Sequence, residues 1–146
     1  VDVGMSRGRG PPSAHCCAPV ETVNPNIPAA LDAAALGRLP ARGQITGGLI
    51  DGPLAFDNAI SPAAVSAKGI LSEVAGNADI LVVPDLEAGN MIAKQLIYLA
   101  GAEAAGIVLG ARVPIILTSR ADGVMSRLAS AAMAQLYIHH VQRSAP

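Results

Sequence analysis

The chain has 146 residues, enough for one modest domain, and is 51% hydrophobic with a mean hydropathy of +0.44, so it can fill a core. A formal net charge of −1 and a pI of about 6.3 make no broad basic field, which removes the electrostatic case for nucleic-acid binding. The longest apolar runs, Ile80–Pro84 and Val113–Leu117, are far too short to span a bilayer, and a 2% aromatic content is too low for an all-β sandwich; the apolar residues are mostly Ala, Ile, Leu and Val, which suits α/β layers.

In chain order, residues 1–18 read as a disordered or foreign leader, because Gly8-Arg9-Gly10-Pro11-Pro12-Ser13 has no periodicity and little to bury. The leader has no apolar middle, so it does not read as a signal peptide. Its two adjacent cysteines, Cys16 and Cys17, make no disulfide framework, and a reducing cytoplasm is the expected location. Pro28 opens a predicted helix over Ala29–Leu39 that Pro40 ends. Gln44–Ile50 reads as a strand broken by Asp51-Gly52-Pro53. Asp57 and Asn58 read as the start of a turn beside the chain's one Phe, Phe56, a packing residue. Ser61-Pro62 is a helix start, with the helix running to about Lys68. Asp79–Val83 reads as a buried strand. The helix Asn90–Ala100, capped by Asn90, carries Met91, Ile92, Gln95, Leu96 and Leu99 on one face, and Gly101 closes it. Gly106–Gly110 and Val113–Thr118 are short predicted strands, and the last helix spans Val124–His139, with Val124, Leu128, Ala132 and Leu136 at four-residue spacing. The order helix, strand, helix, strand, helix, strand, strand, helix implies an α/β fold with a mostly parallel sheet and flanking helices.

In open α/β sheets ligands bind beyond the carboxyl ends of strands. Two such ends carry candidate chemistry. At Thr118-Ser119-Arg120-Ala121-Asp122, Arg120 offers a planar fork for phosphate oxygens, Ser119 a hydroxyl for a developing oxyanion, and Asp122 a general base for a thiol proton, all before a helix start that itself suits an anion. The same Ser119-x-x-Asp122 spacing also fits a helix cap, with Arg120 as a surface charge. At Pro84-Asp85-Leu86-Glu87-Ala88-Gly89-Asn90, Gly89 admits close approach of a ligand to the backbone, and Asp85 and Glu87 can orient basic groups or bind the hydroxyls of a nucleotide-like ligand. This stretch equally fits a capped loop with solvated carboxylates. Metal binding is not expected: His15-Cys16-Cys17 lacks a second ligand pair, and the adjacent His139 and His140 face different ways on a helix. The chain has neither a GxGxxG nor a GxxxxGK[ST] pattern, so dinucleotide and P-loop sites are not expected.

Three runs carry a family resemblance. Asp51-Gly52-Pro53-Leu54-Ala55-Phe56-Asp57-Asn58-Ala59, the stretch Val74-Ala75-Gly76-Asn77-Ala78-Asp79 through Pro84-Asp85-Leu86-Glu87-Ala88-Gly89-Asn90, and Val113-Pro114 through Leu117-Thr118-Ser119-Arg120-Ala121-Asp122 resemble, in order and spacing, the carboxy-terminal portion of the phosphate acetyl/butyryltransferases. The subgroup most resembled is the one found alone or fused behind an enoyl-CoA hydratase-like region. The resemblance covers about Pro19 to Ala132. It implies a fold like that of isocitrate and isopropylmalate dehydrogenases, here incomplete: residues 19–146 would be most of a second α/β domain plus a returning strand and helix. The last helix would then expose an apolar face.

The resemblance also implies an acyltransferase of acetate metabolism that moves an acyl group, acetyl by preference, between coenzyme A and inorganic phosphate. Acetyl-CoA and phosphate would be its substrates, and no cofactor would be permanently bound. Ser119, Arg120 and Asp122 would be catalytic, and Asp85, Glu87, Gly89, Asn90 and Lys94 would bind substrate. Gly123 stands where the family commonly has a small polar residue, and the family's other phosphate-binding arginines have no counterpart here. A homo-oligomer or a separate amino-terminal half would therefore complete the site. A non-catalytic remnant, or a module binding CoA or phosphate esters, is the alternative, favoured by the foreign composition of the leader. A related-fold hydroxyacid dehydrogenase is the more distant one.

Overall fold

The computed structural model describes residues 10–144. The chain divides into two units, Val1–Met91 and Ile92–Pro146.

The first unit is built on a three-stranded parallel sheet of order β2-β1-β3, formed by β1 (Ser13–Cys17), β2 (Leu49–Leu54) and β3 (Ile80–Val82). The central strand is the segment that composition assigned to a disordered leader. That expectation is corrected over Ser13–Cys17, where all five residues are buried; residues 1–9 lie outside the described residues. The physical reason is local. Serine, alanine and cysteine are small enough for a central strand covered on both faces, and each end of the strand is tied to a distant segment. At one end the Ser13 amide donates to Asp79 Oδ2 (2.9 Å), and the Asp79 amide donates back to the Ser13 carbonyl (3.0 Å). At the other the Ala18 amide donates to the Leu54 carbonyl (3.0 Å). The register pairs Ser13 with Leu49 and His15 with Asp51, then slips between His15 and Cys17.

The second strand is also displaced from expectation. Asp51-Gly52-Pro53 lies inside β2 and does not break it, and the Gly52–Pro53 peptide is cis. Glycine at 52 is a packing requirement: a Cβ there would stand 2.7 Å from Cys16 Cβ and 2.8 Å from the Cys16 carbonyl oxygen. Parallel strands need a crossover, and α1 (Pro28–Arg38) supplies it, packing against β2 and β1 through the buried Ala30 and Ala33. Pro28 opens α1 in the first turn, where its missing N–H costs no hydrogen bond.

After β2 the chain makes a short helix, α2 (Phe56–Ile60), where the sequence suggested a turn, with Asn58 and Ala59 fully buried. The helix α3 (Pro62–Lys68) starts as expected: Ser61 Oγ accepts the Ala64 amide (3.2 Å), and Gly69 closes the helix in the left-handed region.

The helix α4 (Leu86–Ala100) begins four residues earlier than the sequence suggests and carries the boundary between the units. Beyond it, the second unit holds α5 (Val124–Ser144). The two predicted strands there reduce to one antiparallel bridge between Val108 and Ile115. Ser130 and Ala134 are the buried side chains of the described part of α5. The Ser130 hydroxyl donates to the Ser126 carbonyl (2.7 Å) and accepts the Gly106 amide (3.0 Å), which fixes the Gly106 segment to the helix. The expected apolar stripe of α5 is open, with Leu128 and Leu136 exposed, and so are Leu96 and Leu99 on α4. No helix of the described residues is long and apolar enough to cross a membrane.

Candidate active site

Two groups of the residues singled out by sequence each form a local structure. The first lies in the Ile92–Pro146 unit. Ser119 and Asp122 close a turn on each other: the Asp122 amide donates to the Ser119 carbonyl (3.1 Å), and the Ser119 amide donates to Asp122 Oδ2 (2.6 Å). Ser119 Oγ accepts the Ala121 amide at 3.4 Å. The reciprocity resembles a helix cap, but α5 starts only at Val124, so the motif is a separate turn ahead of the helix. Ser119 and Arg120 thus precede α5, and the strand they were expected to end is, among the described residues, only the single Val108–Ile115 bridge. A carboxylate that accepts a backbone N–H through one oxygen still has its other oxygen for a proton. Arg120 is exposed, and its guanidinium has no hydrogen bond or ion pair among the described residues.

Asp122 lines two clefts of this unit. One, of about 470 Å³, is bordered also by Tyr98, Glu103, Gly123, Met125 and Ser126. The other, of about 180 Å³, runs past Thr118 and Ser130. Ser119 and Arg120 border neither cleft. Sequence reasoning missed Arg127. Its Nε donates to the Asp122 carbonyl (3.2 Å) and its Nη2 to the Ser119 carbonyl (3.4 Å). The available signal was its place one turn into a predicted helix, from which an arginine reaches back to the residues before that helix.

The second group opens α4. Asp85 Oδ1 accepts the Ala88 amide (2.7 Å) and so caps the helix; Asn90, expected to be the cap, lies inside it. Glu87 is exposed in the first helical turn, where a carboxylate meets the positive end of the dipole. The space beside Gly89, expected to admit a ligand, is filled by Val83, whose Cγ2 would stand 2.9 Å from an added Cβ. Lys94, a turn further on, sets its ammonium 5.7 Å from the centre of the Tyr98 ring.

The remaining titratable cluster of the sheet is inert. His15 is fully buried, its Nε2 is 3.0 Å from the Leu54 carbonyl, and its Nδ1 has no hydrogen-bond partner among the described residues. Burial lowers its pKa, against the opposing pull of that carbonyl and of Asp51. Burial pushes the Cys16 thiol up to about 11, helped by Cys17 and Asp51, so it stays protonated near neutrality and is no nucleophile.

Comparison with known proteins gives a consistent result. The sequence profile of a family described as phosphate acetyl/butaryl transferase matches residues 18–135. A phosphate acetyltransferase of Rhizobium meliloti is 60% identical over 137 residues, covering 94% of this chain and 43% of that protein. A probable phosphate butyryltransferase of Bacillus subtilis (strain 168) is 52% identical over 134 residues, covering 92% of this chain and 45% of that protein. Among solved structures, a branched-chain phosphotransacylase from Enterococcus faecalis V583 superimposes with a TM-score of 0.76 at 32% identity, over 90% of this chain and 47% of that one. The chain thus spans less than half the length of the curated relatives it matches.

Proposed function

Since the chain belongs to the phosphate acetyl/butaryl transferase family, we propose that it carries the catalytic turn of a phosphate acyltransferase, which moves an acyl group, acetyl by preference, between coenzyme A and inorganic phosphate. The observation that carries this reading is the self-closed Ser119–Asp122 turn inside the family match, with the Arg120 guanidinium unpartnered among the described residues. In the direction that makes acetyl-CoA, the free Asp122 oxygen takes the CoA thiol proton and the thiolate attacks the carbonyl carbon of acetyl phosphate. Ser119 donates its hydroxyl hydrogen to the oxyanion that forms, and the C–O bond to phosphate then breaks. Arg120 holds the departing phosphate bidentately. No covalent enzyme intermediate and no permanently bound cofactor enter this scheme.

Glu87 and Asn90 are exposed on α4, and Lys94 follows a turn later; in this reading they take the nucleotide end of CoA, with Gly89 and the capping Asp85 shaping that helix start. A second α/β domain of the kind found in isocitrate and isopropylmalate dehydrogenases, from another copy or from an amino-terminal half, supplies the further phosphate-binding groups. We place the reaction in the cytoplasm, where buried free thiols such as Cys16 and Cys17 are stable. The alternative of a non-catalytic remnant leaned on a foreign leader, and the Ser13–Cys17 part of that segment lies in the sheet.

The test is phosphate-dependent thiol release from acetyl-CoA by the purified chain, beside Ser119→Ala and Arg120→Ala. The expected result is release that falls roughly 10²-fold in Ser119→Ala, the usual cost of one oxyanion donor, and a raised KM for phosphate in Arg120→Ala. Absence of release from protein shown to be folded by circular dichroism would sink catalysis by this chain alone.

A further inference from the structure

We infer that Arg127 is a positioning residue: its guanidinium clamps the Ser119–Asp122 turn and so sets the hydroxyl, the phosphate-holding arginine and the base in one geometry. The role in transfer rests on the acyltransferase reading; the clamp itself does not. The turn has three closures of its own, at Ser119 N–H to Asp122 Oδ2 (2.6 Å), Asp122 N–H to Ser119 C=O (3.1 Å) and Ala121 N–H to Ser119 Oγ (3.4 Å). All of them are internal to four residues, so they fix the turn's shape without fixing where it points. Arg127 supplies what they lack. Its backbone is held in the first full turn of α5 by the Arg127 N–H to Gly123 carbonyl bond (3.3 Å), and its side chain reaches back to both ends of the Ser119–Asp122 turn.

Two features make this an arginine's task. The acceptors are two main-chain carbonyls at different residues, reached by Nε and Nη2 of one planar fork; an ammonium has no such fixed pair of donors. The cation also spends itself on carbonyls. No ion pair joins it to the Asp122 carboxylate among the described residues, so the guanidinium does not occupy that carboxylate's second oxygen. The Ser119 carbonyl is shared between the Asp122 amide and Arg127, which couples the clamp directly to the turn's closure.

The experiment uses the full chain as wild type, Arg127→Gln and Arg127→Lys, with Arg143→Gln as a control that removes an equal charge from the last turn of the same helix. Amide hydrogen exchange is read at Ser119 and Asp122 and, as a reference for global folding, at Ala14 and Cys16 in β1. The same samples are assayed for thiol release. The expected result is on the order of tenfold faster exchange at Ser119 and Asp122 in Arg127→Gln, in line with the loss of hydrogen bonds to a charged donor, with β1 unchanged. In step, kcat should fall at least as far with KM little moved, Arg127→Lys should be intermediate, and Arg143→Gln should match wild type. Unchanged exchange at Ser119 in Arg127→Gln overturns the clamp. Faster exchange with wild-type kcat overturns the positioning role. Faster exchange at β1 as well means global unfolding; the decision then passes to Arg127→Lys, where wild-type exchange and kcat overturn the inference. A wild-type chain that releases no thiol removes the transferase reading and the catalytic half of this inference with it, while exchange still decides the clamp.

Discussion

In the Val1–Met91 unit small and large side chains alike are buried around the sheet, whereas among the described residues of Ile92–Pro146 only Ser130 and Ala134 are buried and many large apolar ones are open. Ala14, Cys16, Ala30, Ala33 and Ala59 are buried in the first unit together with the larger Leu54, Val74, His15 and Asn58. In the second, Leu99 is 84% exposed, Leu136 68% and Leu128 59%. Apolar composition alone therefore does not say where a core lies. A sheet with a covering helix gives small residues a place to be buried, while a long helix buries large ones only where something lies across it. The proposed chemistry of Ser119, Arg120 and Asp122 sits in the unit with the poorer core.

The largest break of this comparison is a pair of truncations. Leu54→Ala, at 3% exposure, is expected to cost about 3 kcal/mol by cavity formation, and Leu136→Ala to stay within about 0.5 kcal/mol; urea unfolding followed by circular dichroism measures both. Equal costs would mean that α5 is covered in solution. Next comes Gly52→Ala. Its Cβ would have to displace Cys16, including a carbonyl oxygen, for about 2 kcal/mol of overpacking, visible as a lower urea midpoint. Ser61→Ala should remove about 1 kcal/mol by leaving the Ala64 amide without its cap.

The smallest effect near neutrality is the pH dependence carried by His15. Its folded pKa lies below the ordinary 6.5, so the unfolded chain binds the proton more readily and stability rises with pH. That contribution is complete above about 6.5 and is lost as pH falls from there towards the folded value. Urea midpoints across this window should decline in the wild type and decline less in His15→Gln; parallel slopes would remove His15 as the cause.

Much of this architecture was legible. Proline at the first turn announced α1, serine and proline together announced α3, and the apolar run after Asp79 announced β3, which is half-buried to exposed rather than buried as expected. The central strand was not, because Ser13-Ala14-His15-Cys16-Cys17 follows Gly and Pro and contains no large aliphatic residue; its strand partners lie 36 or more residues away in sequence. The second strand was misplaced because Gly52 and Pro53 read as breakers, when the glycine is what lets the strand approach Cys16. Val108 and Ile115 have strand-like neighbours in sequence, yet the described residues give them only one bridge. At the site, the Ser119–Asp122 closure was legible from spacing. Asp85 displaced Asn90 as the cap because the helix extends back to Leu86, and Arg127 escaped notice because side-chain reach from a helix back to a preceding turn leaves no periodic trace.

The place of β1 in the sheet has a consequence for how the chain is made. A ribosome finishes Cys17 long before it reaches Ile80, the first residue of the strand that must flank it. At roughly 5–20 residues per second the interval is on the order of 3–13 s. For that time the nascent strand has one neighbour at most, and the Cys16 and Cys17 thiols that the finished sheet seals away are open to chemistry. A modification placed on either sulphur in that interval would be carried to the middle of the sheet, where the finished fold has no room for it.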